Sequence, residues 1–292
     1  MAVPRINLND GTTIPVIAFG TGTALFGKDS KDLVLAALAD GYDSLDTAEV
    51  YANTASVGAA LKEWKGKRED VYLLSKWGKA TTGAVDEART VLETMLQELG
   101  VDYVDMYLIH SPLLNDKVSL ADQWKVMEKI KADGLAKAVG VSNFREEDLQ
   151  EVLASNPTVV PAVNQIEFHP YLYHAPNVQR LTKLMKEHNI KIQTFGPLAP
   201  VFRSSGGPVD AVAERIATAH GLTVPQVLLK WASQFGGGTV VTTSRTEERR
   251  KEQLAAFTAP PLTDAEVQEI ADAGKGQVYR KFMVHVWDAA KP

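Results

Sequence analysis

Residues 101–144, VDYVDMYLIHSPLLNDKVSLADQWKVMEKIKADGLAKAVGVSNF, contain two short apolar runs with a helical pattern between them. The runs Tyr103–Ile109 and Ala136–Val141 have the length and the β-branched content of buried parallel strands. Between them, Trp124 and Ile130 lie on one face of a helical repeat, and Gly134 follows as a stop signal. This stretch therefore predicts a strand–helix–strand unit with two parallel strands.

The same alternation continues on both sides of this unit. Six further strand-like runs occur, at Val16–Phe19, Tyr42–Leu45, Val71–Ser75, Ala162–Ile166, Lys191–Phe195 and Thr239–Val241. Eight such runs with helical patterns between them predict an α/β protein, a single (β/α)8 barrel domain over residues 1–292. The turn residues Asn9-Asp10-Gly11 predict a β-hairpin before the barrel. The patterns at Thr246–Phe257 and Asp264–Ala273 predict extra C-terminal helices.

The composition excludes several classes of protein. Of the 292 residues, 45% are hydrophobic and 23% are charged, which is typical of a folded domain. With 31 Lys and Arg against 36 Asp and Glu, the net charge of −5 disfavours a nucleic-acid partner. The absence of cysteine excludes disulfides, thiolate metal sites and cysteine nucleophiles. Since no apolar run approaches the roughly 20 residues of a membrane span, we expect no membrane partner and a cytoplasmic protein.

Two patterns point weakly to other kinds of site. Gly20-Thr21-Gly22 follows a strand-like run, but Leu25 stands where a dinucleotide-binding fingerprint has its third glycine. His169 and His174 have a spacing found in metal sites, but no cysteine or further helical histidine accompanies them. We therefore predict no metal site and interpret both histidines as surface residues.

Polar side chains occur where consecutive strand-like runs end. Asp46 follows the second run, Lys76 the third and His110 the fourth, and Tyr51 lies five residues after Asp46. Because the C-terminal ends of barrel strands meet at one mouth, we expect these side chains to lie together. An ion pair between Asp46 and Lys76 would neutralise two charges that are costly to bury alone.

These four residue types suit the reduction of a carbonyl group. A phenol has a pKa near 10, too high for rapid proton donation at neutral pH, and a neighbouring ammonium lowers that pKa. We therefore predict Tyr51 as the general acid, with Lys76 lowering its pKa and Asp46 holding Lys76. His110 is predicted to orient the carbonyl oxygen. Since side chains cannot supply a hydride, this chemistry implies a nicotinamide cofactor.

Five motifs, in order along the chain, resemble those of the aldo-keto reductase superfamily. They are GYDSLDTAEVYAN at 41–53, LLSKW at 73–77, DMYLIHSP at 105–112, VGVSNF at 139–144 and NQIEFHPY at 164–171. The resemblance spans nearly the whole chain. It implies a reductase of small-molecule carbonyl substrates with NADPH as the cofactor, NADH being possible. It also implies catalytic roles for Asp46, Tyr51, Lys76 and His110.

The resemblance further implies a set of residues that contact the cofactor. Ser142, Asn143 and Gln165 match residues that hydrogen-bond the nicotinamide carboxamide. Phe195 stands where many members place a tyrosine that stacks on the nicotinamide ring, and its flat face suits the same contact. The full implied set is Thr23, Ser142, Asn143, Gln165, Phe195, Gly196, Pro197, Leu198, Ser244, Arg245, Arg249, Glu252 and Gln253.

One position in this set bears on the choice between NADPH and NADH. Thr243 replaces the lysine that commonly contacts the 2′-phosphate in the family. Arg245 and Arg249 are retained, and guanidinium groups pair well with phosphate, so NADPH remains the prediction. Arg250, one residue further, is interpreted as part of a solvated helix face.

The resemblance also implies a substrate pocket that includes Ala24, Trp77 and Ser111. Ala24 and Ser111 stand where family members often carry tryptophan, which predicts a wider mouth. These features are similar to the fungal branch that reduces conjugated polyketones, α-keto amides and ketopantoyl compounds. Compact activated dicarbonyls or aldehydes are therefore the predicted substrates.

Two other functions stay open at the level of the sequence. A nicotinamide-binding regulatory subunit with little turnover is one, and a Schiff-base aldolase that uses Lys76 is the other. For either function or for a reductase, we expect a monomer or a weak homodimer.

Overall fold

Eight parallel strands close into a barrel in the computed structural model, which describes residues 3–288. In chain order the strands are β1 (Arg5–Asn7), β2 (Thr13–Pro15), β3 (Ile17–Gly20), β4 (Ser44–Asp46), β5 (Tyr72–Trp77), β6 (Val104–Ile109), β7 (Ala136–Ser142), β8 (Val163–Glu167), β9 (Lys191–Phe195) and β10 (Thr239–Thr242). Strands β3 to β10 form the barrel, and β10 pairs with β3 to close it. The predicted (β/α)8 barrel is thus confirmed; residues 1, 2 and 289–292 of the predicted domain lie outside the described residues.

Helices surround the barrel and follow its strands. They are α1 (Lys31–Asp40), α2 (Thr54–Glu63), α3 (Glu87–Leu99), α4 (Leu120–Ala132), α5 (Glu146–Ala154), α6 (Pro176–Glu187), α7 (Ala199–Phe202), α8 (Pro208–His220), α9 (Val224–Gly236), α10 (Glu247–Ala255), α11 (Asp264–Gly274) and α12 (Val284–Trp287). The predicted C-terminal helices correspond to α10 and α11. Gly100 ends α3 in the left-handed conformation, with φ of 69°. No helix among residues 3–288 has the length and apolar character needed to cross a bilayer.

The predicted hairpin closes the N-terminal end of the barrel. Strands β1 and β2 pair antiparallel, with Arg5 opposite Pro15. Leu8 and Ile14 from this hairpin pack in one buried cluster with Leu74 and Met106, which point into the barrel. The hairpin therefore covers the apolar interior at this end of the barrel. An active site is expected at the opposite end, where the strands have their C-terminal ends.

Alternation along each strand divides the residues between the barrel interior and the layer under the helices. On β5, Tyr72 and Leu74 belong to the interior cluster, whereas Leu73 and Trp77 belong to the outer core. Lys76 continues the inward series and is fully buried. Interior positions thus change from apolar to charged as the strand approaches the mouth.

Candidate active site

The centre of the site is a buried ion pair between two adjacent strands. Asp46 is the last residue of β4 and Lys76 is the penultimate residue of β5. Lys76 Nζ donates to Asp46 Oδ1 over 2.6 Å and to the carbonyl of Thr47 over 2.9 Å. The two side chains are 0% and 3% exposed, so each charge depends on the other for compensation.

The second oxygen of Asp46 is held from across the barrel. Gln165 Nε2 on β8 donates to Asp46 Oδ2 over 2.6 Å and to Gln193 Oε1 over 2.7 Å. Both carboxylate oxygens of Asp46 therefore accept a hydrogen bond, and the direction in which Lys76 points is fixed from two sides.

Tyr51 reaches this pair from a turn that follows β4. It ends the 3-10 turn Glu49–Tyr51, and its hydroxyl lies 3.3 Å from Lys76 Nζ. The Tyr51 ring packs so closely on Gly22 that a Cβ there would approach Tyr51 Cζ to 2.8 Å. His110 meets the same ring edge to face, with centroids 5.7 Å apart. The structure thus brings the four predicted catalytic residues together.

Two residues that the sequence reasoning missed hold this arrangement. Glu49 Oε2 accepts the backbone N–H groups of Gly78 and Lys79, each at 3.1 Å, which ties the turn of Tyr51 to the end of β5. Gly78 lies where a Cβ would approach Val50 Cγ1 to 2.6 Å and His110 Nδ1 to 3.0 Å. Glu49 lies within the motif at 41–53, whereas Gly78 carries no such signal, and both roles depend on contacts between the turn after β4 and the end of β5.

Burial and the neighbouring charges shift the pKa values of Tyr51 and Lys76 in opposing ways. Burial raises the pKa of the Tyr51 phenol, and the Lys76 ammonium lowers it without overcoming that effect. For Lys76, burial lowers the pKa, but the charge of Asp46 and the contact with Tyr51 outweigh burial and raise it. Lys76 thus lowers the Tyr51 pKa as predicted, but burial outweighs this effect and leaves the pKa above its ordinary value. Tyr51 is a protonated donor beside a charged ammonium.

His110 is electrically neutral in this environment. Burial, followed by the nearby charge of Lys76, lowers the pKa of His110 well below its usual range. A neutral imidazole keeps one N–H that can donate to a carbonyl oxygen. The backbone at His110 is held from β7, because Asn143 Nδ2 donates to its carbonyl over 2.9 Å.

Residues at the ends of β7, β8 and β9 fit a nicotinamide carboxamide and ring. Asn143 has φ of 60°, and its Oδ1 is buried without a hydrogen-bond partner among the described residues. An amide N–H₂ is the kind of group that satisfies such an acceptor. Ser142 Oγ donates to the carbonyl of Gln165 over 2.8 Å, and Phe195 is half-buried at the end of β9. The chain continues from Phe195 through Gly196 and Pro197 to Leu198, which precedes α7.

The predicted contacts for the adenosine half lie after β10. Ser244 and Arg245 are in the loop before α10, and Arg249 is exposed on that helix. Glu252 accepts a hydrogen bond from Thr223, and Gln253 is buried with its Oε1 3.1 Å from the Tyr42 hydroxyl. Gln253 therefore packs α10 against the barrel. Thr23 lies on another exposed turn, after β3, with φ of 46°.

The structure corrects the interpretation of Arg250 as part of a solvated helix face. It is 4% exposed and its Nε donates to Asp40 over 2.6 Å, so it does not belong to a solvated face. Its Nη1 also donates to the carbonyl of Arg245 over 3.2 Å. The sequence interpretation failed because α10 packs against α1, which carries Asp40 at its C-terminal end.

The predicted substrate-pocket residues have different surroundings. Ala24 is exposed in the turn after β3, and Ser111 is buried, with its Oγ accepting from the N–H of Leu113 over 3.3 Å. The prediction for Trp77 is wrong. Trp77 is fully buried in the outer core, because strand alternation turns it away from the side of Lys76. The next residue, Gly78, lies beside His110 instead.

The two histidines interpreted as surface residues are also corrected. His169 is fully buried, with Nε2 3.4 Å from Glu167 Oε1. His174 is partly buried, with Nε2 2.9 Å from the carbonyl of Gln277. Both contact the C-terminal part of the chain, His169 at the Tyr279 ring and His174 at Gln277, and local sequence could not indicate these contacts.

Comparison with known proteins agrees with this geometry. Residues 17–275 match the Aldo/keto reductase family, and the chain belongs to that family. An aldo/keto reductase from Brucella melitensis has a crystal structure with a TM-score of 0.81 and 30% sequence identity. The match covers 93% of this chain and 100% of that one. The predicted family is confirmed.

Among the relatives that have named activities are two yeast reductases. An NAD/NADP-dependent indole-3-acetaldehyde reductase of Schizosaccharomyces pombe is 38% identical over 285 residues, covering 94% of this chain and 97% of that protein. An NADPH-dependent alpha-keto amide reductase of Saccharomyces cerevisiae is 33% identical over 286 residues, covering 91% and 89%. The chain is accordingly an oxidoreductase that acts on carbonyl groups.

Proposed function

We propose that this chain reduces small activated carbonyl compounds, α-dicarbonyls or aldehydes, with NADPH as the cofactor and Tyr51 as the general acid. The observation that carries the proposal is the 3.3 Å contact between the Tyr51 hydroxyl and the buried, charged Lys76. A phenol beside a fixed ammonium is a proton donor whose conjugate base is stabilised where it forms.

The chain's own residues account for the proton transfer. A reduced nicotinamide supplies a hydride to the carbonyl carbon when it is bound. Neutral His110 donates a hydrogen bond to the carbonyl oxygen and orients it. Tyr51 holds the proton on its hydroxyl oxygen and delivers it to that oxygen as negative charge develops there. Lys76 remains charged throughout, because Asp46 holds it, and it stabilises the phenolate that remains.

The preference for NADPH over NADH rests on Arg249 and Arg245. Arg249 is exposed on α10, and Arg245 lies in the preceding loop, where a 2′-phosphate could be paired by guanidinium groups. The name of the yeast relative specifies NADPH, and that of the fission yeast relative includes both cofactors. Measuring kcat/KM with each cofactor tests the preference for NADPH, and a higher kcat/KM with NADH would overturn it.

The substrate class rests on the small residues Ala24 and Ser111 and on the relatives. Ala24 is a small residue on the exposed turn after β3, and Ser111 directly follows His110. The two relatives are named for an aldehyde and for α-keto amides. A panel of α-dicarbonyls, aldehydes and simple sugars tests the class by NADPH oxidation. Higher kcat/KM for the sugars than for every α-dicarbonyl would refute it.

NADPH oxidation and borohydride trapping together separate this proposal from the two alternatives. A regulatory subunit would bind NADPH but oxidise it very slowly even with a reactive aldehyde. A Schiff-base aldolase needs a neutral amine, whereas Asp46 and Tyr51 raise the pKa of Lys76 above its ordinary value despite burial. Borohydride trapping of substrate on Lys76 would support the aldolase and contradict the proposal.

A further inference from the structure

The segment between α11 and Asp288, residues 275–288, is fastened to the end of β8 by one buried carboxylate. Glu167 is the last residue of β8, two residues after Gln165 and therefore on the same face of the strand. It is 1% exposed. Its carboxylate accepts the backbone N–H of Lys281 at 3.1 Å and that of Phe282 at 2.8 Å. The backbone at Phe282 is thus fixed relative to β8.

The side chain of Phe282 contacts the aromatic ring at the end of β9. The ring centroids of Phe282 and Phe195 are 5.6 Å apart, and the ring planes are nearly perpendicular, at 79°. Arg203, which follows α7, lies over the Phe282 ring with its guanidinium carbon 5.2 Å from the centroid. Phe282 is therefore held by the hydrogen bond from its backbone to Glu167 and by contacts with the side chains of Phe195 and Arg203.

The pairing of β8 with β9 places the hydrogen bonds of Glu167 next to the contact between Phe195 and Phe282. Glu167 on β8 is the register partner of Phe195 on β9. The position that a Cβ of Gly196 would occupy lies 3.6 Å from Glu167 Cγ and 4.0 Å from Phe282. The Glu167 carboxylate, Gly196 and the rings of Phe195 and Phe282 thus form one continuous contact. A ring held at its edge or face by a perpendicular neighbour has a defined plane.

We propose that Phe282 is a positioning residue for the cofactor, which orients the Phe195 ring so that its flat face is presented to the nicotinamide. This inference rests on the proposed stacking role of Phe195. Glu167 contributes indirectly, since it fixes the backbone from which the Phe282 side chain extends. The C-terminal segment thereby acts on cofactor affinity through the Phe195 ring.

The test is a double-mutant cycle on NADPH affinity. Phe282→Leu keeps an apolar side chain but removes the perpendicular ring, and we expect NADPH binding to weaken by about 2- to 10-fold. Phe282→Tyr retains the ring and is expected to bind NADPH as the wild type does. Val278→Ala is the matched control, because Val278 lies on the same segment and is 68% exposed. Dissociation constants come from titrations of NADPH fluorescence with the full chain.

The Phe195→Leu background separates this inference from the proposed function. With Phe195 absent, Phe282→Leu is expected to have no further effect on NADPH binding, because it acts through that ring. Equal effects of Phe282→Leu in both backgrounds, or none in the wild type, would overturn the inference. If Phe195→Leu itself leaves NADPH binding unchanged, the stacking role also fails. If Phe282→Leu weakened NADPH binding only by impairing folding, the loss would be the same in the wild-type and Phe195→Leu backgrounds. That result would overturn the inference.

Discussion

Lys76 Nζ donates a hydrogen bond to the hydroxyl oxygen of Tyr51 over 3.3 Å. Burial raises the pKa of that phenol, so Tyr51 keeps its proton at neutral pH, and the ammonium lowers the cost of releasing it. Lys76 therefore acts on the phenolate that forms during proton transfer, and it does not pre-ionise the resting side chain.

Replacing Tyr51 by phenylalanine removes the proton donor and leaves the ring. We expect kcat for carbonyl reduction to fall by about two orders of magnitude or more, while the dissociation constant of NADPH stays nearly unchanged. Tyr72→Phe is the control, because the Tyr72 hydroxyl is buried without a hydrogen-bond partner among residues 3–288. Retained carbonyl reduction by Tyr51→Phe would remove Tyr51 from the mechanism.

Replacing Lys76 by methionine removes the charge and leaves the Asp46 carboxylate unpaired in the interior. The loss of one partner of a buried ion pair costs about 3–5 kcal/mol of unfolding free energy. The pKa of Tyr51 should rise further, since Lys76 lowers it and Asp46 raises it. The alkaline decline of the reduction rate, which reports loss of the Tyr51 proton, is therefore expected to move to higher pH.

A second buried lysine provides the control for that experiment. Lys230 is 4% exposed and donates to the carbonyls of Ala259 and Pro260, at 2.9 and 2.8 Å. Lys230→Met should lower the melting temperature but leave the pH–rate profile unchanged. If both lysine variants shift the profile equally, the special effect of Lys76 on Tyr51 is disproved.

The neutral state of His110 predicts how stability depends on pH. Its pKa in the folded protein lies well below the value of about 6.5 of an unfolded chain, because burial and Lys76 disfavour the charged form. As the pH falls below about 6.5, the unfolded state takes up the proton first, so His110 contributes a loss of stability. The unfolding free energy should therefore decline less between neutral and acid pH in His110→Asn than in the wild type. An identical decline in the two proteins would contradict this prediction.

Replacing Arg249 by alanine tests the proposed pairing with the 2′-phosphate. NADPH binding is expected to weaken by about 10-fold or more, the scale of a charge-assisted hydrogen bond, while NADH binding changes little. Lys251→Ala on the same helix is the control, because Lys251 is exposed and pairs with Glu247. Equal losses for NADPH and NADH would assign Arg249 a structural role.

The sequence by itself determined the barrel and the identity of the residues at its mouth. Apolar runs such as Val71–Ser75 alternate with helical patterns, and this periodicity is a local property of the chain. Asp46, Lys76 and His110 follow such runs directly, and the geometry of a closed parallel barrel brings the ends of neighbouring strands to one place. For these residues, the position along the chain was enough to predict that they lie together at the mouth of the barrel.

Only the tertiary structure decided where several other side chains point and what they contact. Whether Trp77 or Gly78 faces the mouth depends on the strand's inward and outward phase, which a shift of one residue reverses. Arg250 is buried because Asp40, 210 positions away, supplies its partner. Phe282 reaches Phe195 because Glu167 binds the backbone of a segment more than a hundred residues later. Contacts between distant segments have no local pattern, and the sign of the Tyr51 pKa shift likewise depends on how deeply the assembled barrel buries the phenol.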